Sequence, residues 1–191
     1  MCRIRGVECH ALIAANRMPS TIALFASSRR NGNTGQLMDR IAQELQIDVI
    51  DLGEMNISAF DYEHRNRDDD FEPLIHQVLS FDQMIFASPV YWYSVAPPMK
   101  IFIDRLSDLL DVPDLLDTGR RLRNKTGFVV STSVDDEPDA PFIEAFRATF
   151  NYLGMAYGGY INAKCVDDYV TDGHEDEIRA FVADVRSGKA Y

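Results

Sequence analysis

From residue 20 onward the chain alternates between short, nearly continuous apolar runs and longer stretches in which apolar positions return every three to four residues. The short runs, at 21–25, 48–52, 83–87, 127–131 and 157–162, are bounded by turn-forming residues and read as strands buried on both faces. The longer stretches, at 35–45, 71–81, 97–110, 140–153 and 172–185, read as amphipathic helices. Local chemistry supports their ends. Pro97 and Pro98 suit a first helical turn, and the acids between 172 and 177 sit where a helix dipole favours negative charge. Strands and helices in this alternation predict a doubly wound α/β sheet, because right-handed crossovers between parallel strands place helices on both faces. In such a sheet ligands bind beyond the carboxyl ends of the strands, near the point where strand order reverses. The connection from the first strand to the first helix lies at such an end.

Composition narrows the classes. A chain of 191 residues suits one domain, here 18–191, which on folding buries roughly 70% of the surface its unfolded form exposes. No apolar run approaches the roughly 18 residues of a membrane span, so no membrane partner is expected. A net charge of −11 repels polyphosphate backbones, which argues against nucleic acid and means that any anionic ligand is held by local donors. The three cysteines, Cys2, Cys9 and Cys165, form no C-x-x-C pair, and their odd number fits a reduced, cytoplasmic compartment. Residues 1–17 carry arginines near their start, but Glu8 and His10 interrupt what would be a signal-peptide core, so the segment reads as an extension outside the fold.

The first strand-to-helix connection, Ala26-Ser-Ser-Arg-Arg-Asn-Gly-Asn-Thr34, holds five hydroxyl or amide side chains and two adjacent arginines. A turn of this kind needs one cap residue and a glycine. The surplus of donors points to an anion. A G-x-x-x-x-G-K-[ST] loop is excluded because there is no lysine, and a G-x-G-x-x-G loop because only Gly32 and Gly35 are available. A receiver-type aspartate site is excluded by Ala26, Ser27 and Ser88 at its expected positions. What remains is a loop whose hydroxyls, amides, backbone N–H groups and an arginine surround a terminal phosphate monoester at a helix N-terminus; the alternative is a polar surface turn that merely caps the helix.

Ser27-Ser-Arg-Arg-Asn-Gly-Asn-Thr34 resembles the S-x-R-x-x-G-N-T loop of the flavodoxin-like NAD(P)H-dependent FMN reductases, a family that includes quinone reductases and iron-sulfur flavoproteins. A second stretch, Ser88-Pro-Val-Tyr-Trp-Tyr-Ser-Val-Ala-Pro-Pro-Met-Lys-Ile-Phe-Ile-Asp-Arg105, is similar to the family's S-P-V-Y-[WF] segment with its K-x-[FW]-[IF]-D-R end. The resemblance spans roughly residues 20–165. It implies a five-stranded parallel sheet of order 2-1-3-4-5 and non-covalently bound FMN. The cofactor-binding residues it implies are Ser27, Arg29, Asn33 and Thr34 at the phosphate, with Pro89, Val90, Tyr91, Trp92 and Tyr93 along the ring. The second motif also makes sense physically: three successive aromatics at a strand end make a wall suited to a planar heterocycle. Lys100 and Asp104 read as a surface i,i+4 pair.

A third loop, Ser131-Thr-Ser-Val-Asp-Asp-Glu-Pro138, lies where relatives carry a glycine-rich turn beside the flavin, which adds Ser131, Thr132 and Ser133 as cofactor contacts. Asp135, Asp136 and Glu137 would disfavour an anionic reduced flavin if they approached it. The segment 60–70 lies where iron-sulfur relatives carry clustered cysteines and here has none, and His64 with its acidic neighbours reads as a solvated loop rather than a metal site. Cys165 is expected to leave FMN affinity untouched. The basic run 120–125 reads as a solvated connection, with a weak pull toward the extra phosphate of NADPH. The resemblance thus implies an oxidoreductase that passes hydride from NAD(P)H through FMN to a quinone, free flavin or similar small acceptor. No side chain acts as acid, base or nucleophile, and no metal is expected. The alternatives are an electron carrier or a flavin-based redox sensor without nicotinamide turnover. An open flavin edge needs a cover, which implies a homodimer or a dimer of dimers.

Overall fold

The computed structural model describes residues 18–138, 140–167 and 173–190. The extension at 1–17 and the expected helix start at Asp172 lie outside the described residues. Five strands, β1 (Thr21–Phe25), β2 (Val49–Asp51), β3 (Gln83–Ala87), β4 (Thr126–Ser133) and β5 (Ala156–Lys164), form one sheet in the order β2-β1-β3-β4-β5. All four ladders are parallel. This is the order the resemblance implies, and it puts the reversal of strand order between β1 and β3.

Among the described residues five helices of eight or more residues cover the faces: α1 (Asn33–Leu45), α2 (Phe71–Val78), α3 (Pro97–Arg105), α4 (Ala140–Leu153) and α5 (Glu175–Ser187). Side chains alternate across each strand, so one sheet feeds two cores. Ile22, Leu24 and Phe86 pack with Phe71 of α2, Phe102 of α3 and Phe146 and Phe150 of α4. Ala23, Phe25, Ile85 and Phe128 pack on the other face with Leu37 and Ile41 of α1 and Phe181 of α5. In the first layer the Phe86 ring lies 5.1 Å from Phe150 and 5.9 Å from Phe146, a tilted arrangement that adds about 0.5–1.5 kcal/mol per pair to simple burial.

Two departures from the expected elements bear on the site. The helix expected over 97–110 ends at Arg105, where Leu106 N bonds Ile103 O and Ser107 N bonds Asp104 O, and Asp108 begins a separate helical turn. The break brings Asp108 onto Arg105. Helix α1 starts at Asn33, earlier than the expected 35, because Gly32 supplies an extended residue before it. Gly35 then lies against the loop: a Cβ there would stand 1.8 Å from the Arg30 carbonyl oxygen, so no other residue fits without moving the backbone.

Candidate functional site

At the carboxyl ends of β1, β3 and β4 three loops enclose a cavity of about 430 Å³, within the range of ligand sites. The first loop follows β1. Its helix end is open to an anion: Gly32 makes no side-chain cap and the first turn of α1 contains no acid, so the orphan N–H groups and the positive end of the dipole face outward. The two arginines part company. Arg30 grips Asp39 with both guanidinium nitrogens (3.1 and 2.5 Å) and lies over the Phe25 ring at 5.0 Å, turned away from the cavity. That ion pair raises its pKa above the ordinary arginine value. Arg29 lines the cavity and makes no ion pair among the described residues.

Asn33 and Thr34 also reach the cavity, but each is already engaged. The Asn33 amide donates to the Asp167 carbonyl (3.1 Å), and the Thr34 hydroxyl, 2% exposed, meets the Thr132 hydroxyl at 2.6 Å. Thr34 therefore ties the first loop to the third.

The second loop, 88–96, is clamped at its base. The buried Ser88 hydroxyl accepts from Ala96 N (2.8 Å) and donates to Pro89 O (3.0 Å), while Val90 N donates to Thr132 O (3.2 Å). All three expected aromatics line the cavity, but at different places. Pro89 and Val90 face the cavity at depth, and Tyr91 reaches back to the first loop. Burial alone would raise the Tyr91 phenol, yet hydrogen bonds from Ser28 and Ser27 and the nearby Arg29 charge hold its pKa below the ordinary tyrosine value. Trp92 and Tyr93 stand at the rim, 91% and 57% exposed.

The third loop continues β4. Thr132, Ser133 and Asp135 line the cavity; Ser131 does not, because its buried hydroxyl donates to Asn162 Oδ1 (2.9 Å) across the β4–β5 ladder. Asn162 in turn donates to Ser133 Oγ (3.0 Å) and Asp135 O (3.1 Å), shaping the loop without glycines. Of the three acids only Asp135 approaches the cavity; Asp136 pairs with Lys164 (3.1 Å) and Glu137 accepts from Tyr160. Cys165, expected to stand apart, lines the cavity through its backbone bond to Ser133 O (2.8 Å), and burial pushes its thiol up.

One supporting residue was missed. Arg105, 0% exposed, binds Asp69 (2.5 Å), Asp108 (2.7 Å) and Ser58 O (3.1 Å), and lies over the Phe71 ring at 4.6 Å. His64 Nδ1 sits 2.9 Å from Asp108, so the segment read as a solvated loop is fastened to α3 through buried charges. The sequence carried a signal: Arg105 occupies a core position on the face that runs through Met99, Phe102 and Leu109. Lys100 and Asp104, by contrast, form an exposed pair at 2.6 Å as expected.

The basic run 120–125 immediately precedes β4 and so lies at the sheet's amino edge, opposite the cavity. Arg121 and Lys125 donate to the Leu79 and Phe81 carbonyls, so these two cations are engaged away from the cavity. A larger groove, about 720 Å³, follows the open edge of β5 between α4 and α5. Arg147 and the Tyr157 and Tyr160 hydroxyls line it, but the helix start that reaches it, that of α5, carries Glu175, Asp176 and Glu177 in its first turn, which disfavours an anion there. Among the described residues no group of three or more His, Cys, Asp or Glu side chains could hold a metal ion, and no helix is long and apolar enough to cross a membrane.

The donors of the first loop fit a dianionic phosphate monoester. The uncapped start of α1, the Arg29 guanidinium and the Ser27 hydroxyl meet at one cavity, a donor set suited to an oxyanion. The sequence profile of NADPH-dependent FMN reductase matches residues 19–187. YwqN of Bacillus subtilis, described as an NAD(P)H-dependent FMN-containing oxidoreductase, is 30% identical over 142 residues, 70% of this chain and 78% of the relative. Among solved structures, the Trp repressor binding protein of Bacillus subtilis superposes with a TM-score of 0.67 at 24% identity, over 84% of this chain and 95% of the other. A flavodoxin of Streptococcus pneumoniae superposes with a TM-score of 0.55 at 21% identity, over 88% and 98%. With a match over residues 19–187 and a sheet order that accords with it, the chain belongs to the NADPH-dependent FMN reductase family.

Proposed function

We propose that this FMN-dependent NAD(P)H oxidoreductase reduces a small, flat acceptor of the quinone or free-flavin class, with the cofactor in the cavity bounded by Arg29, Pro89, Val90 and Thr132. The observation that carries the assignment is the division of labour between the two arginines: Arg30 is locked on Asp39, and Arg29 is left at the mouth of a helix N-terminus. Arg29, the first turn of α1 and the Ser27 hydroxyl bind the phosphate. Pro89 and Val90 orient the ring against the sheet edge, and Thr34 with Thr132 holds the two loops at fixed spacing. Asp135 keeps one negative charge on the cavity wall. Bound FMN supplies the hydride chemistry, so the protein's own groups need only position, shield and tune.

The mouth of the cavity is open, which supports a homodimer whose second copy limits water access. Titration of apoprotein with FMN and with riboflavin tests the phosphate assignment: FMN is expected to bind at least about tenfold tighter, and equal affinities would refute it. Steady-state NADPH oxidation with 1,4-naphthoquinone separates enzyme from carrier, and light scattering at micromolar protein reads the dimer.

A further inference from the structure

Residues 91–94 form an isolated two-residue turn closed on both sides, with Tyr91 N donating to Ser94 O (2.8 Å) and Ser94 N to Tyr91 O (3.0 Å). Its two central residues are both left-handed, Trp92 at φ +47° and Tyr93 at φ +65°. That is the type I′ geometry, which strongly prefers Asn-Gly, and for bulky side chains it is a backbone outlier. No long hairpin demands it here, since among the described residues the only bridge at this loop is the turn itself. Nor does it seal the core, because Trp92 is 91% exposed. The clamps at Ser88, Val90 and Ala96 hold the loop in place, and the left-handed backbone sends Tyr91 into the phosphate loop while it lifts Trp92 and Tyr93 over the cavity rim. Strain maintained by the surrounding structure at a ligand cavity points to function.

We propose that Trp92 and Tyr93 are the specificity-determining pair for the electron acceptor: they stack a planar aromatic acceptor at the cavity mouth and so favour quinones over acceptors that are not flat. The inference rests on the reading of the cavity as the flavin site. The net reaction is NADPH + H⁺ + quinone → NADP⁺ + hydroquinone; the pair itself exchanges neither proton nor electron and acts only by position.

The test is the double substitution Trp92→Asn with Tyr93→Gly, which installs the residues the turn prefers and so protects the fold. FMN-loaded parent and variant are compared with 1,4-naphthoquinone and with ferricyanide, an octahedral one-electron acceptor consumed at two per NADPH. The ratio of naphthoquinone to ferricyanide kcat/KM is expected to fall by about tenfold or more in the variant, through KM. A ratio unchanged within about twofold overturns the proposal. Trp92 is the chain's sole tryptophan, so its emission gives a second readout independent of turnover. Naphthoquinone should quench it saturably in the oxidised, FMN-loaded protein without NADPH. Absence of saturable quenching counts against acceptor recognition. If the parent oxidises NADPH with neither acceptor, the proposed function fails, and the quenching experiment still decides the role of the pair.

Discussion

Two loops leave the sheet at neighbouring strand ends and reach the same cavity by opposite means. The loop after β1 is relaxed: it has no positive-φ residue, and its chemistry comes from an uncapped helix end and a run of small polar side chains. The loop after β3 is strained at Trp92 and Tyr93 and is held by distant groups, Thr132 on β4 and the helix α3 that follows it. The difference teaches that gripping an anion needs only local backbone donors, which a short segment supplies by itself. Displaying bulky aromatics on an outlier backbone needs a scaffold that over-determines them.

The largest effect is expected at the far end of the helix that follows the strained loop. Arg105→Met leaves Asp69 and Asp108 buried without their partner and should cost about 3–5 kcal/mol in denaturant unfolding. The same cluster sets an acid dependence. Burial pushes Asp69 up, but bonds from Arg105 and from the Ser58 and Phe71 amides bring it below its ordinary value of 3.8. A carboxyl depressed in the folded state stabilises the protein above the unfolded pKa, and that contribution fades as pH falls from about 4 through the lower folded value. Unfolding midpoints measured from pH 5 downward should show this slope in the parent and a shallower one in Asp69→Asn.

In the relaxed loop, Arg29→Ala should weaken FMN by roughly 10- to 150-fold, the equivalent of about 1.5–3 kcal/mol for a charge-assisted contact, with unfolding unchanged. Arg30→Ala, beside it in sequence, should move FMN affinity by less than about threefold, since it removes an exposed pair worth roughly 0.2–1 kcal/mol to the fold. Equal losses in fluorescence titrations of the two variants would erase the division between them. Gly35→Ala would drive a methyl group into the Arg30 carbonyl and should cost about 1–3 kcal/mol of stability while displacing the loop from FMN. The comparison is sharpened most by the smallest effect: the Trp92→Asn, Tyr93→Gly variant should gain roughly 1 kcal/mol as the left-handed turn relaxes. A gain of thermal stability there and a loss at Gly35 would confirm which loop carries strain.

Most of the architecture was legible because periodicity alone distinguishes a doubly buried strand from an amphipathic helix. The strands at 21–25 and 83–87 and the helix at 140–153 have the expected ends. The helix over 97–110 did not, since apolar spacing continues through Leu106 and Leu109 while the backbone turns to bring Asp108 onto Arg105. Strand order came from the resemblance rather than from any pattern in the residues. Within the site, the anion loop could be read from composition because its donors are adjacent in the chain. The separate fates of Arg29 and Arg30 could not, since they depend on Asp39, two turns along α1, and on the Phe25 ring.

By itself the sequence determined the alternation of strands and helices, the polar loop at the first strand's end and the aromatic run at the third's, because each is a property of residues within a few positions of one another. Only the tertiary structure decided that Ser131 turns to Asn162 and Ser133 to the cavity, that Cys165 joins the wall, and that Tyr91 reaches the phosphate loop while Trp92 stands exposed at the rim. The physical reason is that direction at these positions is set by partners tens of residues away: Thr132 holding Val90, Asn162 holding the acidic loop and Arg105 holding the segment before α2. Such bonds contribute only once the parallel ladders have brought their owners together, and no local pattern in the chain records them.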